Sequence, residues 1–379
     1  MELWPACIDA DYVAGVREFT RREIVPHADD IDRRDVYPRD ILKAMAKAGY
    51  NAVTLPREQG GAGLTHSHAA AVFEEVSYAS GAVGISLITI FQAQTILKTF
   101  GNDTLKATYL PQFGQGLLSS YALTEANHGS DIRSLDTKAV RDGQGWLLNG
   151  EKSFITSGSA AEFFIILAET PVGVSTFAVP MGLEGLSSYV GTNSATFGLR
   201  NGPHVNLVLK DVRLPDHALI GVEGKGVRQA VGTLNYSRTL AGAISIGIAR
   251  AAFDAALDFV GKRKAFDQRV IEFQGIQWYF ADMMSEIEAA RLLVYRAARA
   301  LDDGVDQDRY ASAAKLKAAK VATDVAALAV QVCGAYGVME NAPFGRFLRD
   351  AKAYEIAGGS AEILKNTLGK YLMRHLAAS

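Results

Sequence analysis

The hydrophobic period of this chain changes twice, and that double change limits what it can fold into. Up to about Ser119 the apolar residues recur at helical spacing: Leu42, Met45, Ala46 and Gly49 share one face, and Ala69 to Val76 continues the pattern before a break at Gly81. Around Tyr121 the pattern becomes short β-branched or aromatic runs, namely Trp146 to Leu148, Phe163 to Leu167, Val174 to Val179 and Val205 to Leu209. Asp142-Gly143 supplies a hairpin turn, and Pro180 and Pro215 close strands because proline cannot donate to a ladder. Gly221 to Gly226 then reads as a linker, after which helices return. Ile246, Ala249, Phe253, Leu257 and Val260 form one stripe, with Arg250, Asp254 and Asp258 on another face. A second stripe runs through Met283, Ile287, Ala290, Val294, Ala297 and Leu301, and the alanine-rich run from Ser312 to Cys333 gives a third. Stripes this long predict a four-helix bundle. The expected fold is α+β: a helical domain over 1–119, a middle β domain over 120–221 and a helical bundle over 222–379.

Composition excludes several functions. The 379 residues include 39 Lys and Arg against 41 Asp and Glu, so no polybasic field exists to hold nucleic acid or an anionic membrane. Small molecules or proteins are the expected partners. Cys7 and Cys333 are the only cysteines, too far apart in sequence for a disulfide framework or a zinc cluster, and a reducing, cytoplasmic setting fits them. The N-terminal Met1-Glu2-Leu3-Trp4-Pro5 lacks a basic region followed by an apolar core, and no uninterrupted apolar run reads as long enough to span a bilayer. Neither export nor membrane insertion is expected.

Two stretches have residues suited to chemistry. Tyr121 to Asp131 enters the β domain with hydroxyls, exposed amides and a glycine, able to hydrogen-bond a planar heterocycle or a phosphate. Arg349 to Ile363 leads two charged pairs into Gly358-Gly359-Ser360, where backbone can approach a ligand closely, although a glycine cap between two helices explains it equally well on local grounds. His128 is a minor general-base candidate, an isolated loop histidine being more often structural. No spacing of the seven histidines builds a metal site. The glycines between Pro56 and Thr65 do not follow a strand as a dinucleotide fingerprint would, and neither a Walker loop nor a nucleophile elbow occurs.

Four motifs, in order, carry a resemblance to the acyl-CoA dehydrogenase family: Thr124 to Asp131, Asn149 to Gly158, Gln331 to Gly337 and the run beginning Arg349-Asp350-Ala351-Lys352. The resemblance covers the whole helical, β, helical layout and implies FAD bound between the β domain and the C-terminal bundle, with part of the site from a neighbouring subunit. Carried over residue by residue, Tyr121, Leu123, Thr124, Gly129 and Ser130 would line the flavin's pyrimidine edge and phosphates, with Phe154 and Thr156 beside the isoalloxazine. Phe154 stands where many members have tryptophan. Arg263, Phe266, Gln274 and Gln331 would reach the adenosine end of the neighbour's FAD, Ala335 replaces a glycine, and Ser360 and Glu362 would touch the cofactor from the C-terminal side. Ser130, Ser237, Arg238 and Gly358 would face the acyl thioester, whose handle is coenzyme A or a carrier protein. A homodimer or homotetramer and an electron-transfer flavoprotein as acceptor are also implied.

Enzymes of this family remove the α-proton of an acyl thioester with a glutamate while the β-hydride passes to flavin N5. One usual position of that glutamate is Gly358 here, and the alternative position, just before Arg238, is Ser237. A serine without an activating partner is too weak a base to replace a carboxylate. The catalytic base is thus unassigned. Glu355 and Glu125 read as structural. The resemblance leaves open a dehydrogenase with an atypical base, an elimination of a β-leaving group such as a sulfinate, a flavin monooxygenase, and a non-catalytic flavin-binding subunit.

Overall fold

A computed structural model describes residues 8–192, 194–305 and 307–378; Cys7 and the segment Met1 to Pro5 lie outside them. Six helices come first: α1 (Ala10–Glu23), α2 (Ala28–Arg34), α3 (Arg39–Lys47), α4 (His66–Ala79), α5 (Gly81–Phe100) and α6 (Asp103–Gly114). Asp9, Thr65, Ser80 and Asn102 cap α1, α4, α5 and α6 by accepting bonds from otherwise orphaned first-turn N–H groups. The repeat through Gly49 ends sooner than its spacing suggests. α3 stops at Lys47, and Gly49 takes φ +80° in the turn that follows.

Eight strands follow: β1 (Ser119–Ala122), β2 (Lys138–Asp142), β3 (Gly145–Ile155), β4 (Phe163–Thr170), β5 (Gly173–Pro180), β6 (Leu186–Tyr189), β7 (Val205–Pro215) and β8 (Leu219–Ile220). They form one sheet in the order β6-β7-β3-β2-β4-β5-β8, with β1 paired parallel to β4. The β2–β3 hairpin turns at Gly143, as the Asp-Gly signal requires. Trp146 and Phe177 meet edge to face, ring centroids 5.1 Å apart, inside a β-domain core with Phe164, Leu207 and Val212.

The C-terminal half contains α7 (Gly226–Lys262), the short hairpin β9–β10 (Lys264–Ala265 and Gln268–Arg269), α8 (Gln274–Asp303), α9 (Gln307–Val332), α10 (Phe344–Ile356) and α11 (Ala361–Ala378). The second and third stripes are buried, and the first is buried at Ile246, Ala249 and Val260, but Leu257 is exposed. Position 257 lies on the flank of the stripe, beyond the reach of the packed helices. One continuous core joins α4 and α5 to α7, α8 and α9. Within it Glu74 is fully buried and held by Arg250 at 2.6 Å, by Arg291 and by the Tyr295 hydroxyl at 2.9 Å, a satisfied network that fixes α4 against the bundle.

Contrary to the reading of apolar runs, α5 and α7 are each long and apolar enough to cross a bilayer, with mean hydropathies of 1.3 and 1.5 over their best windows. Of those windows 72% is buried within the protein, so their apolarity serves the core.

Candidate active site

The segment after β1 is held by a buried ion pair. Glu125, 3% exposed, accepts from Lys152 Nζ at 2.7 Å and from the backbone N–H groups of Asp136 and Thr137 at 2.6 and 3.0 Å. Burial pushes the Glu125 carboxyl up, but the bonds from Lys152 and Thr137 outweigh it and hold the group below its ordinary range. Burial pulls Lys152 down to about 8 despite the attraction of Glu125. The structural expectation for Glu125 is met by this geometry. His128 belongs to the same turn: Glu125 and His128 exchange backbone bonds at 3.1 Å, and the imidazole Nε2 lies 3.5 Å from Asp136. Ligand atoms of Glu125, His128 and Asp136 cluster within 4.8 Å, yet the Lys152 ammonium already supplies the cation that Glu125 faces.

This clamp leaves the rest of the loop facing outward. Gly129 and Ser130 are exposed, and a Cβ on Gly129 would meet no atom within 4 Å. Leu123 and Tyr121 pack on the small cluster of Leu135, Leu167, Val174 and Ala230, which docks the loop onto α7. The Tyr121 hydroxyl is buried with no hydrogen-bond partner among the described residues. Thr124 accepts the Ser153 N–H at 2.9 Å, tying the loop to the end of β3.

At that end the β3–β7 register breaks between Lys152 and Ile155, and the break turns Phe154 out of the sheet at φ +57°, leaving it 54% exposed. A bulky residue in the left-handed region is rare and points to a site rather than to packing. Beside it, the Thr156 hydroxyl lies 3.3 Å from His204 Nε2, and the Thr156 carbonyl accepts from Ser120 at 2.6 Å. Burial lowers the His204 pKa, which keeps that ring neutral.

The corner between α10 and α11 is the second part. Its approach is pinned at each charged residue: Arg349 pairs with Asp32, Asp350 accepts the Leu199 N–H at 2.6 Å, and Lys352 bonds Glu355. The helix ends at Ile356, and Gly358 and Gly359 take φ +71° and +109°. Gly358 is exposed and a Cβ there would touch nothing within 4 Å, whereas a Cβ on Gly359 would lie 3.6 Å from an Arg238 guanidinium nitrogen. Arg238, on α7, is 5% exposed, its Nη1 lies at the margin of a bond to Ser312 (3.5 Å), and its Nε is buried and unpartnered among the described residues. Lys315, on α9, is fully buried and donates to the carbonyls of Gly359 at 2.8 Å and Glu355 at 3.0 Å. Ser237 is buried and its hydroxyl turns back to the Thr233 carbonyl at 3.3 Å. Glu355 lies on α10, off the corner, and its carboxylate is taken by Thr323 and Lys352, consistent with a structural role. The Glu362 carboxyl is held below its ordinary range by its own backbone N–H and by the Ser360 hydroxyl. Ala230 and Arg238 are eight residues, about 12 Å, apart along α7, so one helix carries both the packing contact of the loop and the cation of the corner.

Two surface grooves lie on the helical bundle. One, of about 590 Å³, is lined by Asp308, Arg309, Tyr371, Arg374 and His375, and Asp308 stands one helical turn before Ser312. The other, of about 550 Å³, brings Arg263 together with Tyr336, the neighbour of Ala335, and with Phe259 and Phe344. Gln331, Ala335 and Gln274 are exposed near it in sequence, and Phe266 is 90% exposed at φ +51°. These residues therefore form an outward-facing set separate from the rim and corner.

The β domain thus presents an exposed aromatic on its rim beside a polar loop, and the helical bundle presents a glycine corner with buried cations that no carboxylate pairs among the described residues. Models of the acyl-CoA dehydrogenase N-terminal, middle and C-terminal domains match residues 10–116, 120–212 and 224–373. An acyl-CoA dehydrogenase of Bacillus subtilis is 37% identical over 366 residues, covering 94% of this chain and 96% of the relative. The structure of butyryl-CoA dehydrogenase from Megasphaera elsdenii superposes with a TM-score of 0.94 at 30% identity, covering 98% of this chain and all of that one. The prolyl acyl carrier protein oxidase AnaB superposes at 0.91 with 25% identity, covering 96% and 98%. The chain belongs to the acyl-CoA dehydrogenase family.

Sequence reasoning missed Lys315, the orphaned Nε of Arg238, His204 beside Thr156 and the left-handed backbone of Phe154. Only Lys315 left a usable signal: it sits at buried-stripe spacing between Ala311, Ala318 and Ala322 in an otherwise apolar helix face.

Proposed function

We propose that the protein is an FAD-dependent oxidoreductase that oxidises an acyl thioester at its α,β bond without a protein glutamate at either usual position. The observation that carries the reading is the pairing of a rim built for a flavin with a corner whose base position, Gly358, opens onto free space. The rim fits the cofactor: a buried, unpartnered Tyr121 hydroxyl, an outward Phe154 and a loop at Gly129–Ser130 with room for close backbone approach. Tyr121, Leu123, Thr124, Gly129, Ser130 and Thr156 would hold the flavin and its phosphates, Phe154 would stack on the ring, and Ser360 and Glu362 would close from α11. FAD, when bound, supplies the two-electron acceptor for the hydride leaving the β-carbon.

The chain's own part is orientation and charge. Arg238 and Lys315 would set a positive field beside Gly358 that orients the acyl group, and the exposed corner would admit the water that takes up the α-proton. The groove beside Asp308, with Arg309 and Arg374, would take the phosphate-bearing handle, coenzyme A or the arm of a carrier protein. The likeness to a carrier-protein oxidase supports the second handle. Arg263, Phe266, Gln274, Gln331 and Ala335, outward-facing around the second groove, would meet the adenosine end of a neighbouring subunit's FAD in a homodimer or homotetramer. The exposed apolar side chains Trp278, Leu292, Leu372 and Leu376 support such assembly. Electron-transfer flavoprotein would accept the electrons, in the cytoplasm.

Anaerobic mixing of the yellow holoenzyme with acyl-CoA and acyl-carrier-protein panels tests the proposal. Bleaching of the yellow colour by any thioester supports it. Failure to bleach together with rapid NAD(P)H-supported oxygen uptake would replace it with a monooxygenase, and release of sulfinate without bleaching would replace it with elimination.

A further inference from the structure

We propose that the acyl group this site accepts carries its own negative charge, a carboxylate in the first instance, bound between Arg238 and Lys315. The inference rests on the acyl-thioester reading and names the substrate class within it. Its basis is an imbalance of buried charge. Arg238 is 5% exposed and Lys315 is not exposed at all, and neither forms an ion pair with a carboxylate among the described residues. Lys315 meets only two carbonyl oxygens, and Arg238 keeps Nε unsatisfied. Buried cations are ordinarily paired, because an unpaired one loses its hydration without compensation.

Three carboxylates act on the pair from neighbouring elements, and each is engaged elsewhere. Asp308 on α9 binds the Asn235 amide and lies 3.9 Å from Arg374. Glu355 on α10 is taken by Thr323 and Lys352, and Glu362 on α11 by Ser360 and its own N–H. The two cations also repel one another: burial and the charge of Arg238 together pull Lys315 down to about 8. Position 358, where a protein carboxylate would have matched them, is a glycine with open space at its Cβ. The missing anion is therefore supplied by the ligand.

The test compares thioesters of matched length that differ only in a terminal carboxylate: butyryl-CoA against succinyl-CoA, and valeryl-CoA against glutaryl-CoA. Binding to the FAD-loaded protein is read from perturbation of the flavin spectrum and by calorimetry, independently of turnover. The carboxylated member of a pair should bind roughly ten- to a hundredfold tighter, the range for one charge-assisted contact. Arg238→Gln and Lys315→Met should each remove most of that preference, Arg238→Lys should keep part of it, and retained FAD shows that a variant is folded. Gly358→Glu supplies the carboxylate from the protein and should invert the preference toward the uncharged member. Equal binding of both members by the unmodified protein overturns the carboxylate assignment while leaving the thioester reading intact. Binding of neither member, whether carried on coenzyme A or on acyl-carrier protein, with FAD present, overturns both.

Discussion

Replacing Glu125 with glutamine is the sharpest test of how the rim is held. The substitution keeps shape and volume but removes the charge facing a lysine with no exposed side-chain surface. Breaking a buried pair from one side costs about 3–5 kcal/mol. Lys152 has one escape, which is to fold neutral. At pH 7 that costs about 4.6 kcal/mol, from about 3.4 pH units below a free-lysine pKa of about 10.4 at about 1.36 kcal/mol each. The expected loss at pH 7 is then about 3–4.5 kcal/mol by denaturant titration of the holoenzyme. The escape becomes easier as pH rises, since the unfolded chain also gives up the proton. With the folded lysine titrating far below the unfolded one, the deficit shrinks toward pH 9.5, where neutral folding costs only about 1.2 kcal/mol. FAD retention should fall with stability, because Asp136 and Thr137 lose the carboxylate that anchors the Tyr121 to Ser130 loop. A loss under about 1 kcal/mol, or one that stays constant between pH 7 and 9.5, would refute the claim that this pair positions the loop.

Three further outcomes follow from the geometry. Gly358→Glu should speed anaerobic flavin bleaching by simple acyl-CoA substrates by at least about a hundredfold, the lower range for a positioned general base, at a stability cost of about 1–2 kcal/mol for a side chain at φ +71°; stopped-flow absorbance and thermal melts read the two effects. Phe154→Ala should weaken FAD binding about two- to tenfold, the worth of one aromatic contact, with little loss of stability because the ring is more exposed than buried; cofactor titration of the apoprotein measures it. Burial raises the Asp350 carboxyl to about 6 against the opposing pull of Arg346. Its folded pKa lies above the unfolded value near 3.9, so the cost of ionising it grows as pH rises from about 4 to 6. Asp350→Asn should therefore gain about 2–3 kcal/mol relative to the parent between pH 4 and pH 7, read from paired unfolding curves.

The architecture was legible because two periodicities and a few turn residues specify it. The stripes through Met283 and Val294 are buried, and Asp142-Gly143 turns the hairpin where expected. Leu257 failed because a stripe shows which face is apolar, not how far the neighbouring helices extend. α5 and α7 were misjudged for membrane length because small and hydroxylic residues interrupt their apolar runs, while the mean over a window stays high. The candidate site could be named from motifs, but its electrostatics could not be read from them. Arg238, Lys315 and Gly359 come from three separate segments, and whether a cation is satisfied depends on every oxygen those segments bring near it. The Phe154 conformation was equally hidden, since a register break depends on the partner strand β7 as much as on the residues of β3.

The corner at Gly358 also bears on how such enzymes diversify. A side chain there would touch no atom that holds the fold, and every glycine codon ending in A or G is one base change from a glutamate codon. A change at this position therefore costs the fold only the backbone strain of a side chain at φ +71°, about 1–2 kcal/mol, and no packing contact. On the proposed reading, a lineage carrying this scaffold would gain or lose the carboxylate in a single base change, with no intermediate sequence to pass through.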